Sequence, residues 1–310
     1  MIHRHLRTIV ISTLIVSLSI LLTTDFAWIN VIRKSVNSDF LSLLPYLLFG
    51  TAGVLGTKLN QRRILFGSLY FMLMYLVIHT TKLPALILLT PMQKVYFVAL
   101  TAPLSLGLFF LLKEGRIYSE FGVRYIAVLL LPMITYFVLV KVPFKAFTVV
   151  TSSYYAQYIG IQNLPDLSLI FLVLYFLTYF RIRDFYLKSF HLFVSLGLVP
   201  VFYVAERAAN SRLDWAIALT AAGALWIYAI FRLYWQKVYI DELTGISNRR
   251  ALNERLTELG ANFTIAMLDI DHFKKFNDTY GHEEGDNVLR FVGKYLDRTT
   301  DGKAYRYGGE

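Results

Sequence analysis

The sequence predicts a polytopic α-helical membrane domain of about eight transmembrane helices over residues 1–234, followed over 235–310 by a small α+β domain. Three observations carry this. Apolar residues make up 56% of the 310-residue chain and mean hydropathy is +0.51, whereas soluble domains hold about 45–50%. The charge divides, with a net +13 over residues 1–240 and −3 over 241–310. Runs long enough to cross a bilayer recur along the first 234 positions and then stop.

A span needs about 20 predominantly apolar residues, and eight runs qualify, at 9–29, 40–58, 64–80, 95–112, 121–140, 165–181, 189–205 and 214–234. The run 83–90, closing in Thr90-Pro91, is too short to span and reads as a re-entrant or interfacial piece. A basic HRHLR stretch precedes the first run, but Thr23-Thr24-Asp25 is not a small-residue cleavage site, so this run reads as an uncleaved span rather than a secretory signal. Lys and Arg near span ends are retained in the cytoplasm. With the N-terminus inside, cytoplasmic segments hold thirteen of them against eight outside, and an even helix count puts both termini on that face. The expected location is the bacterial inner membrane, multi-pass, with the lipid bilayer as one partner.

The basic balance belongs to the membrane part, so it gives no case for nucleic-acid binding. The absence of cysteine excludes disulfides and thiolate metal sites. The longest outer loop, 141–164, is below the roughly 40 residues that a folded sensor domain without staples needs. Ionisable residues among spans suggest function by default; the candidates Asp25, His79, Arg124, His191 and Glu206 each fall near a predicted span end, which favours interfacial placement. Gly53, Gly56 and the stretch Ala218 to Ala224 mark helix–helix packing. Residues 231–240 hold no Gly or Pro, so the last helix is expected to run on toward the C-terminal domain, as a signal-carrying rod or a plain tether.

In that domain FTIAMLDI, 263–270, reads as a strand ending in Asp269-Ile-Asp271. Carboxylates at such a point suit Mg²⁺, which takes one or two carboxylates with phosphate oxygens and water. Lys274 could supply a point charge to phosphate. Asn277 and Asp286 flank a Gly-containing turn, and an amide beside a carboxylate suits a guanine edge; taken singly each is an ordinary cap or turn residue. A helical run follows over Asn287–Leu296, with Val288, Leu289, Val292 and Leu296 on one face. Ala304–Tyr307 reads as a short strand and Gly308-Gly309 as a hairpin turn, which would bring Glu310 beside Asp269 if the two strands pair. No GxxxxGK is present, so a P-loop is not the phosphate cradle.

The series DELTGISNRR at 241–250, DIDHFKKFNDTYGHEEGDNVL at 269–289 and YRYGGE at 305–310 resembles the GGDEF family of diguanylate cyclases in order, spacing and identity, over about residues 238–310. The resemblance implies the N-terminal part of a ferredoxin-like, nucleotidyl-cyclase-like domain. It implies metal ligation by Asp269, Glu310 and the Ile270 carbonyl, with Mg²⁺ or Mn²⁺ as cofactor. Asn277 and Asp286 would read guanine, His272 and Phe273 would offer backbone N–H groups to phosphate, and Lys274 its side chain. It further implies that two GTP condense to cyclic di-GMP with release of pyrophosphate across a homodimer. Arg298-Thr-Thr-Asp301 has the R-x-x-D form of the family's inhibitory product site but lies one residue further from Gly308 than usual, so a solvated hairpin is an equal reading. The family signature runs two residues beyond Glu310, so the sequence is expected to be a fragment that makes no cyclic di-GMP as written. The competing readings are a degenerate domain acting as a GTP or cyclic di-GMP receptor, and a transporter with a regulatory appendage, which lacks the expected paired broken helices.

Overall fold

The structure is a computed structural model and describes residues 2–24, 38–80, 89–113, 122–141, 164–183, 185–207, 211–299 and 302–308. It divides into two compact units, Met1–Ile230 and Phe231–Glu310.

Among the described residues the first unit holds eight helices: α1 (Ile2–Leu22), α2 (Ser38–Lys58), α3 (Arg62–His79), α4 (Pro91–Leu111), α5 (Gly122–Lys141), α6 (Asp166–Arg181), α7 (Phe185–Glu206) and α8 (Arg212–Tyr239), the last running on into the second unit. Each overlaps one expected apolar run. Six are long and apolar enough to cross a membrane; α6, at 16 residues, and the apolar part of α1, Val10–Leu22, are shorter. The first helix begins earlier than its apolar run and ends at Leu22, because the HRHLR stretch joins it. Asp25 and the short run over 81–88 lie outside the described residues, as does most of 141–164.

Burial sets the layering. In α4, 78% of the apolar window is buried, against 22% in α2 and in α5, so α4 is central and the others peripheral. The peripheral helices turn Leu43, Leu47, Ile126, Leu130, Ile134 and Phe137 outward. In water such a surface would far exceed the apolar patches of soluble proteins; in lipid it costs nothing.

Local chemistry explains several ends and junctions. Thr90 starts α4 with a reciprocal capping box to Gln93, and Pro91 follows where its missing N–H is harmless. At the other end of α4, Arg63 of α3 donates from Nε to the Phe109 carbonyl at 3.1 Å and from an Nη to that of Leu112 at 2.6 Å. A guanidinium thereby satisfies last-turn carbonyls at the negative pole of the helix. Its neighbour Arg62 is buried, stacked over Tyr125 of α5 at 5.4 Å. Gly56 lets α2 approach α3: a Cβ there would lie 2.6 Å from the Leu65 nitrogen. Gly53, by contrast, has ordinary clearance from Ser68 and Leu65. Of the two candidate histidines, His79 sits in the last turn of α3 and His191 is wholly buried. His191 lies in the second turn of α7, near the span end as expected, and is enclosed by protein, with Thr178 and Ser195 at hydrogen-bond distance from its ring nitrogens.

In the second unit the end of α8 is followed by a turn at 241–246, then β1 (Ser247–Asn248), α9 (Arg249–Thr257), α10 (Phe273–Tyr280), α11 (His282–Thr299) and β2 (Tyr305–Arg306). β1 and β2 pair in parallel, Ser247 with Tyr305 and Asn248 with Arg306, and Ile240 bridges Ser247 in the antiparallel sense. Two sequence expectations are corrected here. FTIAMLDI at 263–270 enters no ladder, and its apolar side chains face outward, Met267 84% and Leu268 72% exposed. An extended backbone becomes a strand through inter-strand hydrogen bonds, and the segment expected to supply them, around Tyr305, is paired with β1 instead. Among the described residues, 263–270 and 304–307 do not pair, and Glu310 lies outside them. The helix expected over Asn287–Leu296 is longer, and its expected core face is half-buried rather than enclosed. At Gly293 it also sits close to the turn after α8, where a Cβ would meet the Thr244 Cβ at 2.9 Å.

Candidate nucleotide-binding site

The expected guanine readers come together through one glycine. Asn277 lies near the end of α10, and Gly285 and Asp286 lie in the first turns of α11, with Gly281 making the corner at φ +88°. Gly285 is buried against Asn277 so closely that a Cβ would stand 1.8 Å from the Asn277 Oδ1. The neighbouring Asp286 therefore starts from backbone that touches the Asn277 amide. Asn277 is 8% exposed and its Oδ1 has no hydrogen-bond partner. A buried amide oxygen without a donor is costly, and a ligand N–H would satisfy it. Asp286 is half-exposed, with Arg290 one turn on at 3.8 Å.

The approach to α10 holds the phosphate and metal candidates. His272 occupies the left-handed region at φ +57° as the residue before the helix, a conformation a non-glycine residue seldom takes. The Phe273 N–H donates to the Ile270 carbonyl at 3.3 Å, so both of these expected contacts are engaged with each other. The Phe273 ring is buried, anchoring the turn. Lys274 is exposed at the helix start. The Asp269 carboxylate accepts from the Ile270 N–H at 3.0 Å and remains exposed. Carboxylate and carbonyl oxygens of adjacent residues are the hard donors that Mg²⁺ accepts, so the donor set fits, although among the described residues no group of three or more such ligands assembles. Glu310 and Asp301 lie outside the described residues; Arg298 sits in the last turn of α11.

One cluster had no role assigned from sequence. Asp241 Oδ2 accepts from the Thr244 N–H at 2.8 Å and the Thr244 hydroxyl at 2.7 Å, and Arg306 of β2 donates to both carboxylate oxygens at 3.0 and 3.2 Å. The Asp-x-x-Thr spacing was the available signal, since an Asp carboxylate commonly folds back on backbone just ahead of it; the partner Arg306, sixty-five positions away, gave none. Arg249 adds a cation–π contact over Tyr307 at 4.4 Å. The turn after α8 is thus tied to the strand that leads to Gly308. The end of α8 is fastened as well: Asn248 Nδ2 donates to the Val238 carbonyl at 2.8 Å while its Oδ1 caps α9, and the Tyr239 hydroxyl donates to Glu254.

Burial pushes the Asp241 carboxyl up, but the hydrogen bonds from the Thr244 hydroxyl and N–H and the Arg306 guanidinium outweigh it and hold the group below the usual carboxylate range. A carboxyl depressed in the folded state contributes stability that is present above its unfolded value, about 3.9, and is lost as pH falls through the folded value. Asp241→Asn is expected to cost about 1–3 kcal/mol at neutral pH, and the deficit should vanish in strong acid. Urea melts of variant and parent at about pH 7 and pH 3 check this; an equal deficit at both would refute the linkage.

Residues 238–310 match the family model described as diguanylate cyclase, GGDEF domain. The chain therefore carries a GGDEF domain as its C-terminal unit. It is 48% identical over 75 residues to diguanylate cyclase VdcA of Vibrio cholerae, a match covering 23% of this chain and 22% of that protein. It is 42% identical over 84 residues to diguanylate cyclase DgcP of Pseudomonas aeruginosa, covering 24% and 12%. Over 99 residues it is 41% identical to diguanylate cyclase DgcZ of Escherichia coli, covering 30% and 33%. The matches span a third or less of these relatives' lengths. No solved structure gives a significant match.

Proposed function

We propose that the protein is a membrane-bound diguanylate cyclase, with the helical unit as anchor and signal input in the bacterial inner membrane and both termini cytoplasmic. The observation that carries this is the buried, partnerless Asn277 Oδ1 set against Gly285-Asp286, on a domain matched to the diguanylate cyclase family. In the reading, the Asn277 and Asp286 side chains recognise guanine, the carboxylate accepting the ring and exocyclic N–H groups. Lys274 and the His272 N–H hold phosphate. Asp269, the Ile270 carbonyl and Glu310 would hold Mg²⁺ or Mn²⁺, which supplies charge neutralisation on phosphate and activation of a hydroxyl. The ribose 3′-hydroxyl of each GTP attacks the α-phosphorus of the other, and two pyrophosphates leave. Because each domain holds one GTP, a homodimer is required.

A receptor role, binding GTP or cyclic di-GMP without turnover, is favoured for the arrangement described here by a specific observation. Gly285 sets Asp286 next to Asn277, whereas the segment leading to Asp269 is unpaired and exposed. Residues 1–310 in lipid nanodiscs are therefore expected to bind GTP in preference to ATP and to form no cyclic di-GMP. Calorimetry and product chromatography with Mg²⁺ test this. Absence of GTP binding would overturn the nucleotide reading, and product would overturn the receptor reading. In the cyclase reading Asp269→Ala should reduce synthesis more than about hundredfold, the scale of losing a stabilising group at phosphoryl transfer, with membrane insertion intact.

A further inference from the structure

The first unit encloses a histidine that none of the cyclase chemistry uses. His191 of α7 is 0% exposed. Its ring stacks on Tyr175 at 4.6 Å and 16°, with Phe110 of α4 at 4.4 Å and Tyr179 of α6 at 5.8 Å. The Nε2 lies 2.9 Å from the Thr178 hydroxyl, and the Nδ1 lies 3.4 Å from that of Ser195.

The surrounding hydrogens fix the tautomer. Thr178 has one hydroxyl hydrogen, donated to the Tyr175 carbonyl at 2.6 Å, so its oxygen accepts and Nε2 must donate. Ser195 gives its hydrogen to the His191 carbonyl at 2.8 Å and lies 3.0 Å from the Tyr175 hydroxyl, which therefore donates to it. The Nδ1 is left as a bare acceptor facing a Ser195 oxygen that still has a lone pair. A proton from water added at Nδ1 finds that lone pair, and no existing hydrogen bond need break. Three aromatic faces within about 6 Å also favour an imidazolium over hydrocarbon surroundings.

Groups opposing the charge are also at hand. Among the described residues, α6 presents Tyr175 and Tyr179, and α7 itself presents Lys188, whose Nζ sits 5.5 Å over the Tyr179 ring. α4 presents the uncharged Phe110, and Arg63 of α3 lines a void shared with Phe110, Phe190 and Trp226. Thr178 and His191 are each within about 10 Å of the α6–α7 turn along their helices, at 1.5 Å per residue, a short way for a proton to enter.

We propose that His191 is a proton-operated clamp between α6 and α7. Protonation at Nδ1 makes the Nε2–H bond to Thr178 charge-assisted, which shortens and strengthens it, and gives Ser195 a second donor beside Tyr175. The next residue, Phe190, meets Trp226 of α8 edge to face at 5.3 Å, and α7 backs closely onto α8 at Gly197, where a Cβ would lie 3.3 Å from the Ala222 Cα. A shift of α7 is thereby felt by the helix that ends at Tyr239.

The test uses the whole chain in lipid bilayers with ¹⁵N-labelled histidine, the His191 signals assigned by their loss in His191→Gln and His191→Phe. Near pH 8 the Nε2–H tautomer is expected, with one protonation on acidification. Ser195→Ala should lower its proton affinity about tenfold, the loss of one charge-assisted hydrogen bond. With Trp28, Trp215 and Trp235 replaced by Phe, Trp226 emission should change at the same midpoint and lose that change in His191→Gln. An Nδ1–H tautomer, a ring neutral throughout, an unmoved midpoint in Ser195→Ala, or Trp226 emission indifferent to His191 would each overturn the clamp.

Discussion

Gly285→Ala is expected to leave the C-terminal unit folded and to weaken its GTP binding about hundredfold, the cost of misplacing a recognition group by an ångström. The added Cβ would stand 1.8 Å from the Asn277 Oδ1 and 2.9 Å from its Cγ, while its next neighbour, the Phe273 Cζ, is at 3.3 Å. The atoms struck are the far end of a side chain, so the structure yields by turning the amide away rather than by parting α10 from α11. The stability loss should therefore stay near the low end of the roughly 1–3 kcal/mol typical of overpacking. Gly281→Ala is the control. That glycine has φ +88° and no neighbour within 4 Å, so its variant is strained in the backbone by about 1–2 kcal/mol while the amide stays in place. Calorimetry with GTP and thermal melts of both variants separate the effects. If Gly285→Ala binds GTP like the parent, Asn277 does not read the base.

The contrast between these glycines shows what sequence could and could not convey. The apolar runs made α1 to α8 legible because a long unbroken apolar stretch satisfies its own backbone only as a helix. Asn277 and Asp286 were legible as a pair from motif spacing, and the structure joins them through Gly285. The strand expected at 263–270 does not form: an apolar run reports a tendency to be covered, whereas a strand exists through a partner, and β2 pairs with Ser247 and Asn248 but not with this segment. The Asp241–Arg306 pair and the enclosure of His191 were invisible for a related reason. Both depend on contacts between residues far apart in the chain or on neighbouring helices, which local pattern does not encode. Charges and hydrogen-bonding groups appear in a sequence as singles, and burial decides which become pairs.

The second large effect is expected at Gly67, in the first unit. Trp226 of α8 lies against this position so that a Cβ would meet the indole Cη2 at 2.5 Å and Cζ2 at 2.6 Å. The indole N–H donates to the Ser68 hydroxyl at 3.0 Å, and Ser68 passes its own hydrogen to the Ile64 carbonyl at 2.7 Å. Phe71 and Phe190 close the sides edge to face at 5.4 and 5.3 Å. Unlike the Asn277 amide, a ring held this way cannot swing aside without giving up its hydrogen bond and both aromatic contacts. Gly67→Ala should accordingly cost about 3 kcal/mol, the upper part of the overpacking range, and free Trp226 from Ser68. Ser68→Ala, which removes the acceptor but leaves the notch open, should cost about 1 kcal/mol. Melts in detergent followed by tryptophan emission give the energies. Equal costs for Gly67→Ala and Ser68→Ala would mean that the ring has room to move, and that α8 is held at this level by its hydrogen bond alone.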